Sequence, residues 1–238
     1  MVEQPPLQHN TALQPGISAV VPAAGVGSRM QASCPKQYLP LAGKMLIEHT
    51  VERLLSHPAV ADVIIAIGAD DSYFAHTRLS ERPNVRVVLG GATRAASVQA
   101  GLDVVNTQWV MVHDAARPCV LHADIDALIR QAQSHPDGAL LAAPVRDTMK
   151  RADAQGQVAH TVEREALWHA LTPQMFLTQT LIQALNVAGD QVTDEASAVE
   201  ALGGKPVLVP ASASNIKVTH PEDKWLAEFY LSQQEGKS

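Results

Sequence analysis

Residues 20–36 read VVPAAGVGSRMQASCPK, and the fold class turns on how that stretch divides. Val20 and Val21 close an apolar run that opens at Ile17, the pattern of a strand buried on both faces of a parallel sheet. Pro22 has no N–H to give the ladder, so the strand stops there. Ala23, Ala24, Gly25 and Gly27 carry almost no side-chain bulk, which lets backbone N–H groups approach an anion, and Arg29 and Lys36 bring two positive charges to the same turn. The GxxxxGK[ST] of a P-loop is missing, and Met30 stands where a GxGxxG loop has its third glycine. Two readings of these residues stand side by side: a phosphate cradle of another type, or a strand-to-turn junction with two solvated cations.

Outward from this stretch, residues 44–55 place Met45, Leu46, Ile47, Val51, Leu54 and Leu55 at helical spacing, with Glu48, Glu52 and Arg53 on the opposite face. Apolar runs at 63–67 and 85–89 fit further strands of a parallel sheet covered by helices. Trp109 to His113, Ala139 to Val145, Val207 to Val209 and a short piece from Asn215 to Val218 add strands, and helices are expected at 94–105, 124–132, 181–187, from Thr193 to Gly203-Gly204, and after a capping box at Thr219-His220-Pro221-Glu222. This βαβ rhythm predicts an α/β fold, a Rossmann-like, mostly parallel sheet with helices on both faces. Residues 146–167 break the rhythm. They alternate around Asp153-Ala154-Gln155-Gly156 and predict a protruding two-stranded β-arm, which a second subunit would cover or water would solvate.

Composition limits what such a chain does. With 238 residues, 46% hydrophobic and 18% charged, it suits one large domain, here residues 17–238 behind a flexible leader at 1–16. A formal net charge of -6 argues against non-specific nucleic-acid binding, so any anion site is a local cluster of Lys and Arg. Cys34 and Cys119 form no CxxC pair, which speaks for a reducing, cytoplasmic setting and against a zinc centre. The first sixteen residues have neither the apolar core of a secretory signal nor an arginine-rich amphipathic pattern, and no apolar run is long enough for a membrane span.

The residues able to carry chemistry cluster at strand ends. Gly90 and Gly91 lead into a helix with Thr93 at its N-cap, so Arg94 and Ser97, three apart, share a face near an N-terminus that attracts anions. Asp114 follows the strand Trp109–His113, where a carboxylate can hold Mg²⁺ against a substrate phosphate, and Arg117 can grip a second anion through its planar fork. His113 reads as a packed core histidine. Asp194 and Glu195 are explained by the first turn of their helix, and Lys217 stands at a strand end like Asp114.

Seven ordered blocks sharpen this. PAAGVGSRM with Lys36 resembles the signature loop of sugar-nucleotide pyrophosphorylase-like nucleotidyltransferases. HDAARP at 113–118, APVRDTMKR at 143–151, HTVER at 160–164, ALTPQ at 170–174, TDEAS at 193–197 and NIKVT at 215–219 resemble the 2-C-methyl-D-erythritol 4-phosphate cytidylyltransferase family of the non-mevalonate isoprenoid route. The resemblance implies transfer of CMP from CTP to the alcohol phosphate, a homodimer embraced through the arm, and Mg²⁺ or another divalent cation at Asp114. It implies nucleotide contacts from Pro22, Ala23, Ala24, Gly25, Gly27, Gly90, Arg94 and Ser97, with Arg29, Lys36 and Lys217 as catalytic cations. For the alcohol phosphate it implies Asp114, Arg117, Thr172, Thr193 and Thr219, with Thr148 and Arg164 from the partner's arm. Ala92 departs from the acidic or amide residue expected after Gly90-Gly91, and Ser28 from a residue often basic in relatives. The competing expectations are a ribitol 5-phosphate cytidylyltransferase, which shares the loop and the HDAARP block, and a non-catalytic nucleotide-binding regulator, which would lack a cation or carboxylate that this chain retains.

Overall fold

The computed structural model describes residues 13–25, 34–189 and 192–235. Its centre is a seven-stranded sheet, and the chain reaches it at once. β1 (Gln14–Pro22) starts three residues ahead of the apolar run, inside what composition assigns to a leader. β4 (Val60–Ile67), β5 (Val85–Leu89) and β6 (Thr107–Val112) join it in parallel, with β4 and β6 flanking β1 and β5 outside β4. Continuous apolar sequence is what a strand covered on both sides requires, and β1 shows why. Ile17, Ala19 and Val21 face one layer, where they meet Ile47, Val51 and Leu54 of α1 (Leu46–Leu55) and Ile125 and Leu128 of α3 (His122–Ser134). Val20 faces the other layer, against Val98 and Leu102 of α2 (Arg94–Leu102).

The β5 run is an exception to the expected covering. It forms the sheet edge, with Val87 43% and Leu89 63% exposed. The other half of the sheet holds β7 (Ala139–Pro144), β10 (Trp168–Leu177) and β11 (Val207–Pro210), in the overall order β11-β7-β10-β6-β1-β4-β5. β10 lies antiparallel between β6 and β7, while β11 pairs parallel to β7, so one reversed strand interrupts an otherwise parallel sheet. α4 (Thr178–Ala188) and α5 (Glu195–Ala201) cover the α2 side through Leu181, Leu185 and Val199. α6 (Pro221–Glu235) closes a smaller cluster with Leu41, Leu46, Cys119 and Val218.

Several local expectations are corrected. Residues 44–45 belong to a hairpin of β2 (Pro40–Leu41) and β3 (Lys44–Met45), so α1 begins at Leu46. The turn between them holds Ala42 at φ 43° and Gly43 at φ 80°, the two left-handed residues of a tight primed hairpin turn. Glu48, expected on the exposed face, is buried because its carboxylate accepts from the Met45 and Arg78 N–H groups. The N-cap of α5 is Asp194 rather than Thr193, its carboxylate accepting from Ser197 N at 2.9 Å. At α6 the capping carboxylate is Asp223, which takes the N–H groups of Thr219 and His220, and Glu222 is not the partner. Residues 215–218 form no strand; Val218 N–H bonds Ala116 O instead.

The arm is present as expected. β8 (Met149–Ala152) and β9 (Val158–Val162) pair antiparallel as a separate two-stranded sheet whose residues are almost all exposed. Asp153 closes its turn by accepting from Gln155 N and Gln157 N.

Candidate active site

The carboxyl ends of β1 and β6 stop on the same side of the sheet, and the chain departs from both in opposite senses, which opens a crevice there. A cavity of about 280 Å³ fills it. Its floor is the β1 turn: Pro22, Ala23, Ala24 and Gly25 line it, and Ala23 N–H is tied back to Ala66 O at 2.8 Å. The carbonyls of the turn are held by Gln37, whose buried amide donates to Ala23 O at 2.6 Å and Gly25 O at 3.2 Å. With those carbonyls turned toward Gln37, the peptide dipoles of the turn are fixed before any ligand arrives. Gly27 and Arg29, expected in the same cradle, lie outside the described residues.

The cation on this side is Lys36, which lines the cavity and donates to Val218 O at 3.3 Å. It opens a single 3₁₀ turn whose last residue, Tyr38, is buried, stacks on Tyr73 and donates to Asp71 Oδ2 at 2.6 Å. Burial and that carboxylate push the phenol far above its ordinary value, so Tyr38 is a neutral donor that anchors the turn. Across the cavity Thr93 caps α2 by accepting from Ala96 N, and Arg94 and Ser97 line the wall as expected. Gly90 does not line it. A Cβ on Gly90 would stand 2.7 Å from Ala24 Cβ and 2.9 Å from Ser97 Oγ, so Gly90 lets the β1 turn and α2 close together, and Gly91 is the glycine at the wall.

Asp114 is the hub. Oδ1 accepts from Nε and Nη2 of Arg94 at 3.3 Å, while Oδ2 lies 2.8 Å from Lys217 Nζ and 3.4 Å from Arg117 Nε. Burial alone would raise this carboxyl, but Arg94, Lys217 and Arg117 overcome it and hold the group well below the usual carboxylate range. Its backbone is fixed too: Asp114 N–H donates to Thr172 Oγ1, which shares its remaining hydroxyl bond with His113 Nδ1. His113 is wholly buried with Nε2 on Arg117 O, and burial lowers its pKa to about 4, so it is a neutral structural histidine as the sequence suggests.

Two of the expected substrate residues are engaged behind the cavity wall. Thr172 is 5% exposed with its hydroxyl engaged at Asp114 and His113, and Arg117 is 7% exposed with Nη1 on Asn215 O at 2.8 Å. Both hold Asp114 and the Lys217 segment in place from behind, rather than facing the cavity. Thr193 and Thr219 are more open, but neither lines the cavity; Thr219 Oγ1 donates to Lys217 O. Thr148 and Arg164 lie exposed at the arm, where Arg164 Nη1 bonds Arg146 O, outside the cavity of the single chain.

Three contributors escaped the sequence reading. Gln37 and Gly91 had only their neighbours Lys36 and Gly90 as signals. Glu195 was read as a first-turn acid, yet it is 1% exposed and pairs with Arg94. Asp114 and Glu195 are thus met by Arg94, Arg117 and Lys217, and Lys36 lines the same cavity, which makes a locally positive site on an acidic chain. Among the described residues no three His, Cys, Asp or Glu side chains gather as a metal cage. A single ionised carboxylate on the cavity wall does fit Mg²⁺, which is held through one or two carboxylates, water and substrate phosphates.

Fold and site together define an α/β protein with a cationic cavity beyond the carboxyl ends of its parallel strands, the place where this architecture binds nucleotides. More narrowly, the chain belongs to the 2-C-methyl-D-erythritol 4-phosphate cytidylyltransferase family, whose model matches residues 17–233. It is 56% identical over 227 residues to the 2-C-methyl-D-erythritol 4-phosphate cytidylyltransferase of Vibrio vulnificus strain YJ016, covering 92% of this chain and 96% of that protein. To the protein of the same name from Vibrio cholerae serotype O1 it is 57% identical over 229 residues, covering 93% and 99%. The crystal structure of the Francisella tularensis 2-C-methyl-D-erythritol 4-phosphate cytidylyltransferase superposes with a TM-score of 0.78 at 32% identity, covering 90% of this chain and 99% of that one. That of the Thermus thermophilus protein gives 0.76 at 32% identity, covering 92% and 99%.

Proposed function

We propose that this chain transfers CMP from CTP to the phosphate of 2-C-methyl-D-erythritol 4-phosphate, releasing pyrophosphate and 4-diphosphocytidyl-2-C-methyl-D-erythritol. Family membership supports the reaction, and the observation that carries it to the site is the convergence of Lys36, Arg94 and Lys217 around Asp114 on one cavity. The nucleophile is a phosphate monoester, already anionic near neutral pH, so the site needs no general base. The neutral, doubly bonded His113 agrees with that. What the reaction asks of the protein is to bring two anions together and to neutralise charge at the α-phosphorus and the leaving pyrophosphate during in-line displacement.

In this reading the β1 turn and the α2 N-terminus take the nucleotide, Lys36 and Arg29 face the α-phosphate and leaving group, and Lys217 serves the region the two phosphates share. Asp114 would hold Mg²⁺, which when bound neutralises and orients the triphosphate. The alcohol phosphate approaches from the side of Thr193 and Thr219 and is completed by Thr148 and Arg164 of a partner's arm. The exposed two-stranded sheet supports a homodimer, since such a pair is marginally stable uncovered. The single domain expected at 17–238 reaches back at least to Gln14, where β1 begins. Two free, separated cysteines suit a cytoplasmic enzyme, and no helix among the described residues is long and apolar enough to cross a membrane. Pyrophosphate release from CTP, compared between 2-C-methyl-D-erythritol 4-phosphate and ribitol 5-phosphate, tests the assignment.

A further inference from the structure

We infer that Glu195 is a positioning residue for the nucleotide site: it fixes the Arg94 guanidinium in the cavity wall and so sets the affinity for the triphosphate. The inference rests on the nucleotide reading of that cavity. Helix-dipole chemistry does not account for Glu195, because an acid that serves only the dipole stays solvated, whereas this side chain is 1% exposed. Its two oxygens meet the Arg94 fork, Oε1 accepting from Nη1 at 2.6 Å and Oε2 from Nη2 at 3.1 Å. That bidentate pair is tighter than the 3.3 Å contacts of Arg94 with Asp114.

The difference matters when a ligand arrives. A triphosphate and its cation compete for Asp114, and an arginine held by Asp114 alone would be released or dragged with it. Held by Glu195, Arg94 keeps its orientation whatever Asp114 does. Four of its five N–H groups are engaged by the two carboxylates, leaving one on Nη1 for an anion. Glu195 is itself fixed from β10. Gln174 Oε1 accepts from Ala196 N at 2.8 Å and Gln174 Nε2 donates to Asp194 Oδ2 at 2.9 Å, which locks the first turn of α5 to the sheet. Arg94 on α2 is therefore positioned by a carboxylate that a separate strand anchors.

The test is calorimetric titration of CTP with excess Mg²⁺ into the ligand-free full chain, with KM for CTP and for 2-C-methyl-D-erythritol 4-phosphate measured alongside. Glu195→Gln keeps the shape but loses the charge and one acceptor, and should weaken CTP about tenfold while KM for the alcohol phosphate stays within about twofold. Glu195→Asp, which keeps the charge but shortens the reach, should fall between, and Glu200→Gln on the exposed end of α5 should bind as wild type. A loss of CTP affinity below about threefold in a folded Glu195→Gln, or an equal loss for both substrates, overturns the proposal. Should Glu195→Gln not fold, Glu195→Asp decides: CTP binding indistinguishable from wild type overturns the proposal. Wild type that binds no CTP would instead refute the nucleotide reading, and this proposal with it.

Discussion

Replacing Asp114 by Asn removes the only carboxylate shared by three cations among the described residues. In the folded chain Asp114 lies 3.3 Å from Arg94, 2.8 Å from Lys217 and 3.4 Å from Arg117. At an effective dielectric of about 20 each pair is worth about 5 kcal/mol of gross attraction, most of which offsets the desolvation of the groups. Loss of the charge leaves Glu195 to compensate Arg94 and leaves Arg117, with a side chain only 9% exposed, bonded to Asn215 O alone. Removing one partner of a buried ion pair costs about 3–5 kcal/mol, or about 10 °C in a chain of this size. Urea unfolding followed by circular dichroism at neutral pH measures it. The pH dependence has a defined sign. The folded carboxyl is held below its usual value of 3.8, so its stabilisation is complete above that value and is lost only as pH falls beneath it. The gap between wild type and Asp114→Asn should therefore be flat from about pH 8 to about pH 5 and close only in strong acid. A gap under about 1 kcal/mol at neutral pH, or one that shrinks already between pH 7 and 5, would refute the hub.

Other expectations are independent of that one. His113 titrates at about 4 in the fold and 6.5 outside it, so the unfolded chain binds more protons between those values and stability falls by about 3 kcal/mol as pH drops through that window; His113→Gln should lose this dependence. Gly90→Ala should cost about 1–3 kcal/mol and weaken CTP, because the new methyl meets Ala24 and Ser97 at under 3.0 Å, and calorimetric titration beside thermal melting reads both effects. If the arm is exchanged between subunits, mixing inactive Lys36→Ala and Arg164→Ala chains should recover about a quarter of wild-type turnover, and no recovery would count against an intersubunit site.

The strand framework was legible because apolar runs such as Val63 to Ile67 carry their own signature, and the cavity wall because small residues and cations recur at strand ends. What escaped had physical reasons. The β2–β3 hairpin depends on left-handed φ angles at Ala42 and Gly43, which the helical spacing of 44–55 masks. β10 mixes polar residues with Pro173, and its antiparallel place between β6 and β7 is a tertiary choice. Arg117 and Thr172 are of the types that bind anions, but whether such a side chain faces the cavity or braces its wall is decided by the loop from Asp114 to Cys119 folding under Asn215. Glu195 had a sufficient local explanation, and local sufficiency concealed its long-range pair.

We propose the cavity at the ends of β1 and β6 as the place where CTP reacts with an alcohol phosphate. Its most direct test is pyrophosphate release by the wild-type chain and by Lys36→Ala with CTP, Mg²⁺ and 2-C-methyl-D-erythritol 4-phosphate. Wild type should release pyrophosphate robustly, with little release on ribitol 5-phosphate, and folded Lys36→Ala should lose about 3 kcal/mol or more of transition-state stabilisation. Wild-type turnover by Lys36→Ala, or no release by the wild type, would contradict the proposal.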